Sequence, residues 1–208
     1  PTLFTTQVNS YDSLAESFHI IARINTILTD LSRDIWFYIS RNIFVQEKKE
    51  GEVGSSTMPH KINPIYFENA EGNLGLANAY FTHLAGALPI SRMQRDLSGS
   101  TVIRNMGIPL AHSLLALKNM MKGLDRIHPN EKVIAEELES HWEILTEAIQ
   151  TILRKHGQEN AYEKLKELSR GEAMSEAILA QFIDGLNIPD DEKQKLYHLH
   201  PKSYTGLY

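Results

Sequence analysis

The chain has no cysteine among its 208 residues, so disulfides, thiolate catalysis and cysteine-ligated zinc are excluded. It also lacks a long apolar run. The longest ones are interrupted by Asn, Arg, Asp or Gly before the roughly 18 residues that a membrane span needs. There is no surplus of positive charge: the net charge is −5, so neither nucleic acid nor an anionic membrane is expected as a partner. The nine histidines contain no His-Glu-x-x-His pattern, and His198 and His200 sit in a Leu-His-Leu-His run before Pro201. No metal site is expected from them. No initiating methionine stands ahead of Pro1. Further sequence is expected upstream, and the lack of a signal peptide carries no weight.

The remaining composition, 42% hydrophobic and 23% charged, is that of a soluble globular protein. Residues 1–124 carry 11 Lys and Arg against 10 Asp and Glu, and residues 125–208 carry 10 against 16. The first part is therefore the better host for an anion.

Three long helical patterns are expected in residues 1–124. The first, from about Ser13 to Ile39, spaces Leu14, Phe18, Ile21, Leu28, Leu31, Ile35 and Ile39 by threes and fours. The second runs from Pro64 to about Ala87, with Ala70, Gly72, Gly75, Ala77 and Ala79 permitting close approach of neighbouring helices. The third runs from about Ser98 to Leu124 through Val102, Met106, Leu110, Leu114, Leu117 and Met121, with a kink expected at Pro109. Shorter amphipathic stretches follow at about 130–140, 142–156, 160–169, 174–185 and 190–199. Gly157, Gly171, Gly185 and Pro189 punctuate them. No strand alternation or internal repeat is evident. The expected fold is all-α: a long-helix bundle segment over 1–124, interrupted by a loop at 45–64, and a smaller helical domain over 125–208.

That loop is charged and Gly-punctuated through Val53, as surface loops are. It then reads Gly54-Ser55-Ser56-Thr57-Met58-Pro59-His60-Lys61-Ile62-Asn63-Pro64. Asn63 and Pro64 have the chemistry of an N-cap and a first helical residue. The helix dipole and backbone amides would then favour an anion there. Lys61 adds a full charge, and Ser55 and Ser56 add hydroxyls. A carboxylate cradle with a hydroxyl beside it fits these parts; an ordinary loop with a solvated lysine fits them too.

A second constellation lies near the start of the third helical pattern. Ser100 and Arg104 are four apart on one helical face, with Arg95 just upstream. A hydroxyl and two guanidiniums suit a phosphate. The alternative is a structural ion pair between Arg95 and Asp96 or Glu68. His19, His83, His112 and His141 fall in helical patterns and read as packing or surface residues. Trp36, Trp142 and the Met120-Met121 pair read as core or interface.

The run Gly54–Pro64 matches the G-S-S-x-M-P-x-K-x-N-P signature of the fumarase/aspartase superfamily at every fixed position. Residues 67–75 (Phe-Glu-Asn-Ala-Glu-Gly-Asn-Leu-Gly) and 91–105, from Ser91 to Asn105, resemble the adenylosuccinate lyase family. The likeness extends over essentially the whole chain, as the later half of a protein about twice as long.

The resemblance implies a β-elimination that releases fumarate from adenylosuccinate, leaving AMP, and from the analogous succinylaminoimidazole carboxamide ribotide. It makes Ser55 the proton-abstracting base, with Lys61 and Asn63, helped by Ser56, on a succinyl carboxylate. A serine hydroxyl needs its alkoxide stabilised, and Lys61, loop amides and a helix N-terminus all favour negative charge. It puts Arg95, Ser100 and Arg104 on the nucleotide phosphate, makes Gln7 a substrate contact, and places Asn69 near the base or the linking nitrogen. No cofactor is expected, since the carboxylate itself stabilises the carbanion. The resemblance further implies a cytoplasmic homotetramer with active sites shared between chains. The proton-donating histidines come from the earlier half, so the 208-residue chain alone is expected to be inactive. Two alternatives stand beside this: another fumarate-releasing lyase such as argininosuccinate lyase, whose substrate has no phosphate, and a non-catalytic relative that keeps the fold.

Overall fold

The computed structural model describes residues 3–4, 6–47, 63–93, 95, 97–158, 163 and 174–206. The chain divides into two compact units, Pro1–Pro129 and Asn130–Tyr208.

In the first unit, helix α1 covers Asp12–Ser40, α2 covers Ile65–Ala87, α3 covers Ser98–Ile103 and α4 covers Gly107–Leu124. Helix α1, 29 residues long, extends roughly 44 Å. It starts on Tyr11, which takes a left-handed conformation without a side-chain cap, and places Asp12 in the first turn, where the dipole favours a carboxylate. It ends when Asn42 turns left-handed, at φ 60°. The Ile43 amide then donates to the Tyr38 carbonyl (2.9 Å) and the Asn42 amide to that of Ile39 (3.0 Å), the bonding that closes a helix C-terminus.

The chain passes directly into strand β1, Phe44–Gln46, which pairs antiparallel with β2, Ile127–Pro129. Phe44 stands opposite Pro129, Val45 opposite His128 and Gln46 opposite Ile127. This ribbon departs from the all-helical expectation in detail and not in class. Three-residue strands are too short for alternation to show in sequence.

Helix α2 packs against both α1 and α4, which run antiparallel to it. Phe18 of α1 meets Phe81 of α2 with ring centroids 5.4 Å apart. Ala15, Phe18, Ala77, Phe81 and Leu84 form one core cluster, against which Val102 and Ile103 pack. Ala70, Leu74, Ala116 and Met120 form another. Between α1 and α4, buried Asn25 donates to the buried Ser113 hydroxyl (2.9 Å).

The third expected helix is two helices. The break falls at residues 104–106, and Pro109 causes none, because it lies in the first turn of α4. Amides there have no intrahelical acceptor, so the missing N–H costs nothing. The apolar stripe of α4 also faces elsewhere. Pro109, Ser113, Ala116, Met120 and Gly123 are the buried residues, while Leu110, Leu114, Leu117 and Met121 remain 42–60% exposed. Small residues let α4 approach α2 closely: a Cβ on Gly123 would lie 2.7 Å from the ring of Phe67. In α2 only Ala70 and Ala77 serve this purpose; Gly72, Gly75 and Ala79 are exposed.

The second unit contains α5 (Glu131–Glu139), a 3₁₀ turn (Trp142–Leu145), α6 (Thr146–Lys155), α7 (Glu176–Asp184), α8 (Asp190–Tyr197) and a second 3₁₀ turn (Pro201–Ser203). The stretch expected at 160–169 lies almost wholly outside the described residues. Leu145, Ile149 and Leu153, four apart on one face, meet Leu179, Ile183 and Leu196 in the core. Gly157 takes φ +70° just after α6, where a glycine best ends a helix. Glu192, 6% exposed, accepts from Lys155 (2.7 Å) and Lys195 (3.2 Å). Its carboxyl is held below the usual range chiefly by the Lys155 hydrogen bond and then by that of Lys195.

Candidate active site

Ser55, Ser56 and Lys61 lie outside the described residues, within 48–62. The two ends of that stretch are defined. At its start, the Glu47 amide donates to the Arg126 carbonyl (2.8 Å), extending the ribbon, and His128 pairs with the Glu47 carboxylate. At its end, Arg126 donates through Nη1 to the Tyr66 hydroxyl (3.1 Å) and lies over the Tyr66 ring, 5.3 Å from its centroid. One residue therefore holds both flanks.

Asn63 is half-buried and directly precedes buried Pro64. It does not cap α2. The Ile65 amide donates to the Asn63 carbonyl (2.9 Å), and the Pro64 carbonyl accepts from Phe67 (3.0 Å) and Glu68 (3.1 Å). The helix therefore begins one residue later than the Asn-Pro pattern predicts, with Pro64 at the cap. Asn63 still stands at the positive end of the α2 dipole. Glu68, in the first turn, accepts from Trp36 Nε1 (3.0 Å), so that carboxylate is engaged by α1.

Asn69, one turn into α2, is exposed. Its Oδ1 accepts from Asn73 Nδ2 (3.0 Å) and from Asn119 Nδ2 of α4. Asn73 Nδ2 also donates to the Asn69 backbone carbonyl (2.8 Å), and Asn73 Oδ1 meets His112 Nδ1 (2.7 Å). These four side chains form a polar seam along the α2–α4 contact, beside the Ala70, Leu74, Ala116 and Met120 cluster. His112 thus bonds into the seam of a predicted site residue, where its helical pattern alone suggested packing or surface. Nothing in one sequence pairs Asn73 with His112, or Asn69 with Asn119. The i, i+4 spacing on α2 and the seven-residue spacing on α4 show only that each pair shares a face.

Ser100, Arg104 and Arg95 are all exposed. Ser100 lies in α3, and its hydroxyl donates to the Leu97 carbonyl (2.9 Å). Arg104 follows the last residue of α3. Arg95 ends a turn in which its amide donates to the Arg92 carbonyl (3.0 Å) across Met93, held at φ 47°. Beside α3 lies a cleft of about 210 Å³ lined by Tyr80, His83, Leu84, Thr101, Val102 and Asn105. Gln7, exposed, sits just ahead of Tyr11, which packs on the same Phe18–Phe81 cluster as Val102 and Ile103.

The described candidates therefore fall into two groups. Asn63 and Asn69 stand at the N-terminal end of α2. Ser100, Arg104 and Arg95, with Gln7 tethered nearby, stand towards its other end. From Asn69 to the Tyr80–Leu84 stretch beside α3 is roughly 20 Å along the helix. Among the described residues no three metal-ligating side chains converge.

Comparison with known proteins gives three kinds of likeness. The family model described as "Adenylosuccinate lyase C-terminal" matches residues 91–205, and the model described as "Lyase" matches residues 2–78. Among curated relatives, adenylosuccinate lyase of Vibrio cholerae is 52% identical over 203 residues, covering 98% of this chain and 44% of that protein. Adenylosuccinate lyase of Escherichia coli K12 is 50% identical with the same coverage. That of Dictyostelium discoideum is 52% identical over 207 residues, again covering 98% of this chain and 44% of that protein. The chain thus spans less than half the length of these relatives. Among solved structures, the 3-carboxy-cis,cis-muconate lactonizing enzyme of Pseudomonas putida superposes with a TM-score of 0.68 at 22% identity. The match covers 94% of this chain and 45% of that one, and it bears on the fold alone.

Proposed function

The chain belongs to the adenylosuccinate lyase C-terminal family, and from that premise we propose that it supplies part of a lyase cleaving adenylosuccinate to AMP and fumarate. The analogous succinylaminoimidazole carboxamide ribotide is the second substrate in this reading, and purine biosynthesis in the cytoplasm its setting. The observation that carries it is the identity of about one residue in two with adenylosuccinate lyases along 98% of the chain.

In the proposed chemistry Ser55 removes a proton from the carbon next to a succinyl carboxylate. Lys61 and Asn63, with Ser56, hold that carboxylate as charge builds on it. The electron pair then forms the fumarate double bond as the carbon–nitrogen bond breaks. The nitrogen leaves with a proton from an acid that this chain does not supply. Arg95, Ser100 and Arg104 hold the phosphate in this scheme, and Gln7 and Asn69 meet the rest of the substrate. No cofactor takes part.

We propose that the sites are shared between chains of a homotetramer. The division of the described candidates into two groups, towards opposite ends of α2, supports this. So do the uncovered apolar residues Ile24 and Ile27 on α1 and Leu110, Leu114, Leu117 and Met121 on α4, which recur at helical spacing and suit further helices.

The test is fumarate release by the full-length protein, with adenylosuccinate and argininosuccinate offered separately. Release from adenylosuccinate alone is expected. Release from argininosuccinate would keep the elimination and overturn the substrate; release from neither would overturn the activity.

A further inference from the structure

The amide of Asn69 is locked by its neighbours, and the lock can be read from a single backbone atom. The Asn69 carbonyl oxygen can only accept, so the Asn73 side-chain atom 2.8 Å from it is the amide nitrogen. That nitrogen is also 3.0 Å from the Asn69 side-chain oxygen, which identifies the oxygen as the acceptor. The Asn119 atom on the same oxygen must then be its own Nδ2. The remaining Asn73 oxygen faces His112 Nδ1 at 2.7 Å, so the histidine carries a proton on that nitrogen. With both donors spent on Oδ1, the Asn69 NH₂ group is left pointing away from the seam on an exposed residue.

From this we infer that Asn73, His112 and Asn119 are positioning residues. They turn Asn69 so that it meets its ligand as a hydrogen-bond donor and never as an acceptor. The inference rests on the proposed role of Asn69 as a substrate contact, and it deepens that role. The substrate atom opposite Asn69 is an acceptor, such as an unprotonated ring nitrogen or a carboxylate oxygen, and is not an N–H. An asparagine on an open helix surface has two amide orientations to choose from. Here three side chains on two helices remove the choice before substrate arrives, so the ordering cost is met in the fold and not on binding.

The experiment is a double-mutant cycle in the full-length protein, read as kcat/KM for fumarate release from adenylosuccinate. Asn119→Asp replaces a donor on Asn69 Oδ1 with a carboxylate that repels it. The Asn69 amide then turns over and presents oxygen to the substrate. A loss of roughly ten- to hundredfold is expected, the size of one hydrogen bond to a charged or developing-charge partner. In an Asn69→Ala background the same Asn119→Asp change should cost nothing further. Asn69→Asp keeps both seam donors satisfied, so it should leave the melting temperature near wild type while lowering kcat/KM to a similar degree.

Losses that add across the cycle, or an Asn119→Asp enzyme indistinguishable from wild type, would overturn the inference and leave the lyase reading standing. A full-length wild type that releases no fumarate would overturn both. Should Asn119→Asp fail to fold, His112 decides. Asparagine there keeps a donor near the Nδ1 position, so His112→Asn should recover most of what His112→Leu loses. Equal losses in the two would again count against an orienting role.

Discussion

Ser113→Ala tests most directly how α1 and α4 are held in register. Asn25 is 2% exposed and Ser113 7%, and the Nδ2–Oγ bond between them is 2.9 Å. Removing the serine oxygen leaves the Asn25 amide N–H facing a methyl group, in a place too buried for solvent to replace the lost acceptor. An unpaired buried donor costs about 1–3 kcal/mol, whereas the lost oxygen itself carries little packing. With a urea slope of roughly 2–3 kcal/mol/M for a chain of this size, the unfolding midpoint should fall by about 0.3–1.5 M. The decisive comparison is the pair Asn25→Leu with Ser113→Ala, which removes donor and acceptor together at nearly constant shape. Its cost should be under about 1 kcal/mol, so the double variant should be more stable than Ser113→Ala alone. Equilibrium urea unfolding of the 208-residue chain followed by helical circular dichroism reads both. If Ser113→Ala shifts the midpoint by less than the error, or if the double variant is the less stable, the bond is not what aligns these helices.

Gly123→Ala should destabilise despite the better helix propensity of alanine. The new methyl would lie 2.7 Å from Phe67 Cζ and 2.8 Å from Cε2, and about 1–3 kcal/mol of overpacking outweighs at most about 1 kcal/mol of propensity; a raised melting temperature would refute the close contact. Glu192 sets an acid limit for the second unit. Because its carboxyl is depressed from 4.5 by Lys155 and Lys195, its stabilisation is present above that value and lost as pH falls through the folded pKa. Glu192→Gln should be less stable at neutral pH and less acid-sensitive, and parallel pH–stability curves would exclude the role. In the full-length protein Ser55→Ala should lower turnover about 10²–10⁴-fold with binding largely kept. Unchanged turnover would remove Ser55 from the chemistry. Arg104→Ala should weaken phosphorylated substrates chiefly, as seen by comparing adenylosuccinate with its dephosphorylated form; equal losses would move Arg104 away from the phosphate.

The helical class and most element limits were legible because their signals are local. Spacings of three and four residues mark α1 and α2, and Gly157 marks the end of α6. The break at residues 104–106 was not legible, since Arg104, Asn105 and Met106 include no strong helix breaker, while Pro109 drew attention to a place where proline does no harm. The buried face of α4 was not legible for a related reason. Periodicity reports that a stripe of leucines exists; it does not say whether this chain covers it. The small stripe of Ser113, Ala116 and Gly123 packs in its place. At the candidate site, residue types named Asn63, Arg95, Ser100 and Arg104 and the family resemblance added Asn69, but one partner of Asn69, Asn119, comes from a helix 50 residues further on. Only the packing of α2 against α4 brings Asn119 to Asn69 and His112 to Asn73.

Arg126 grips Glu47 through its carbonyl and Tyr66 through its guanidinium, and so makes the intervening stretch a ring closed at its base. For a ring of this kind, length is cheap. Doubling the number of residues between the two ties adds only about 0.6 kcal/mol of closure entropy. A longer insert between the two ties should therefore leave α1, α2 and the ribbon in place. What the fold has to keep there is the neck, and one residue, Arg126, ties both of its sides.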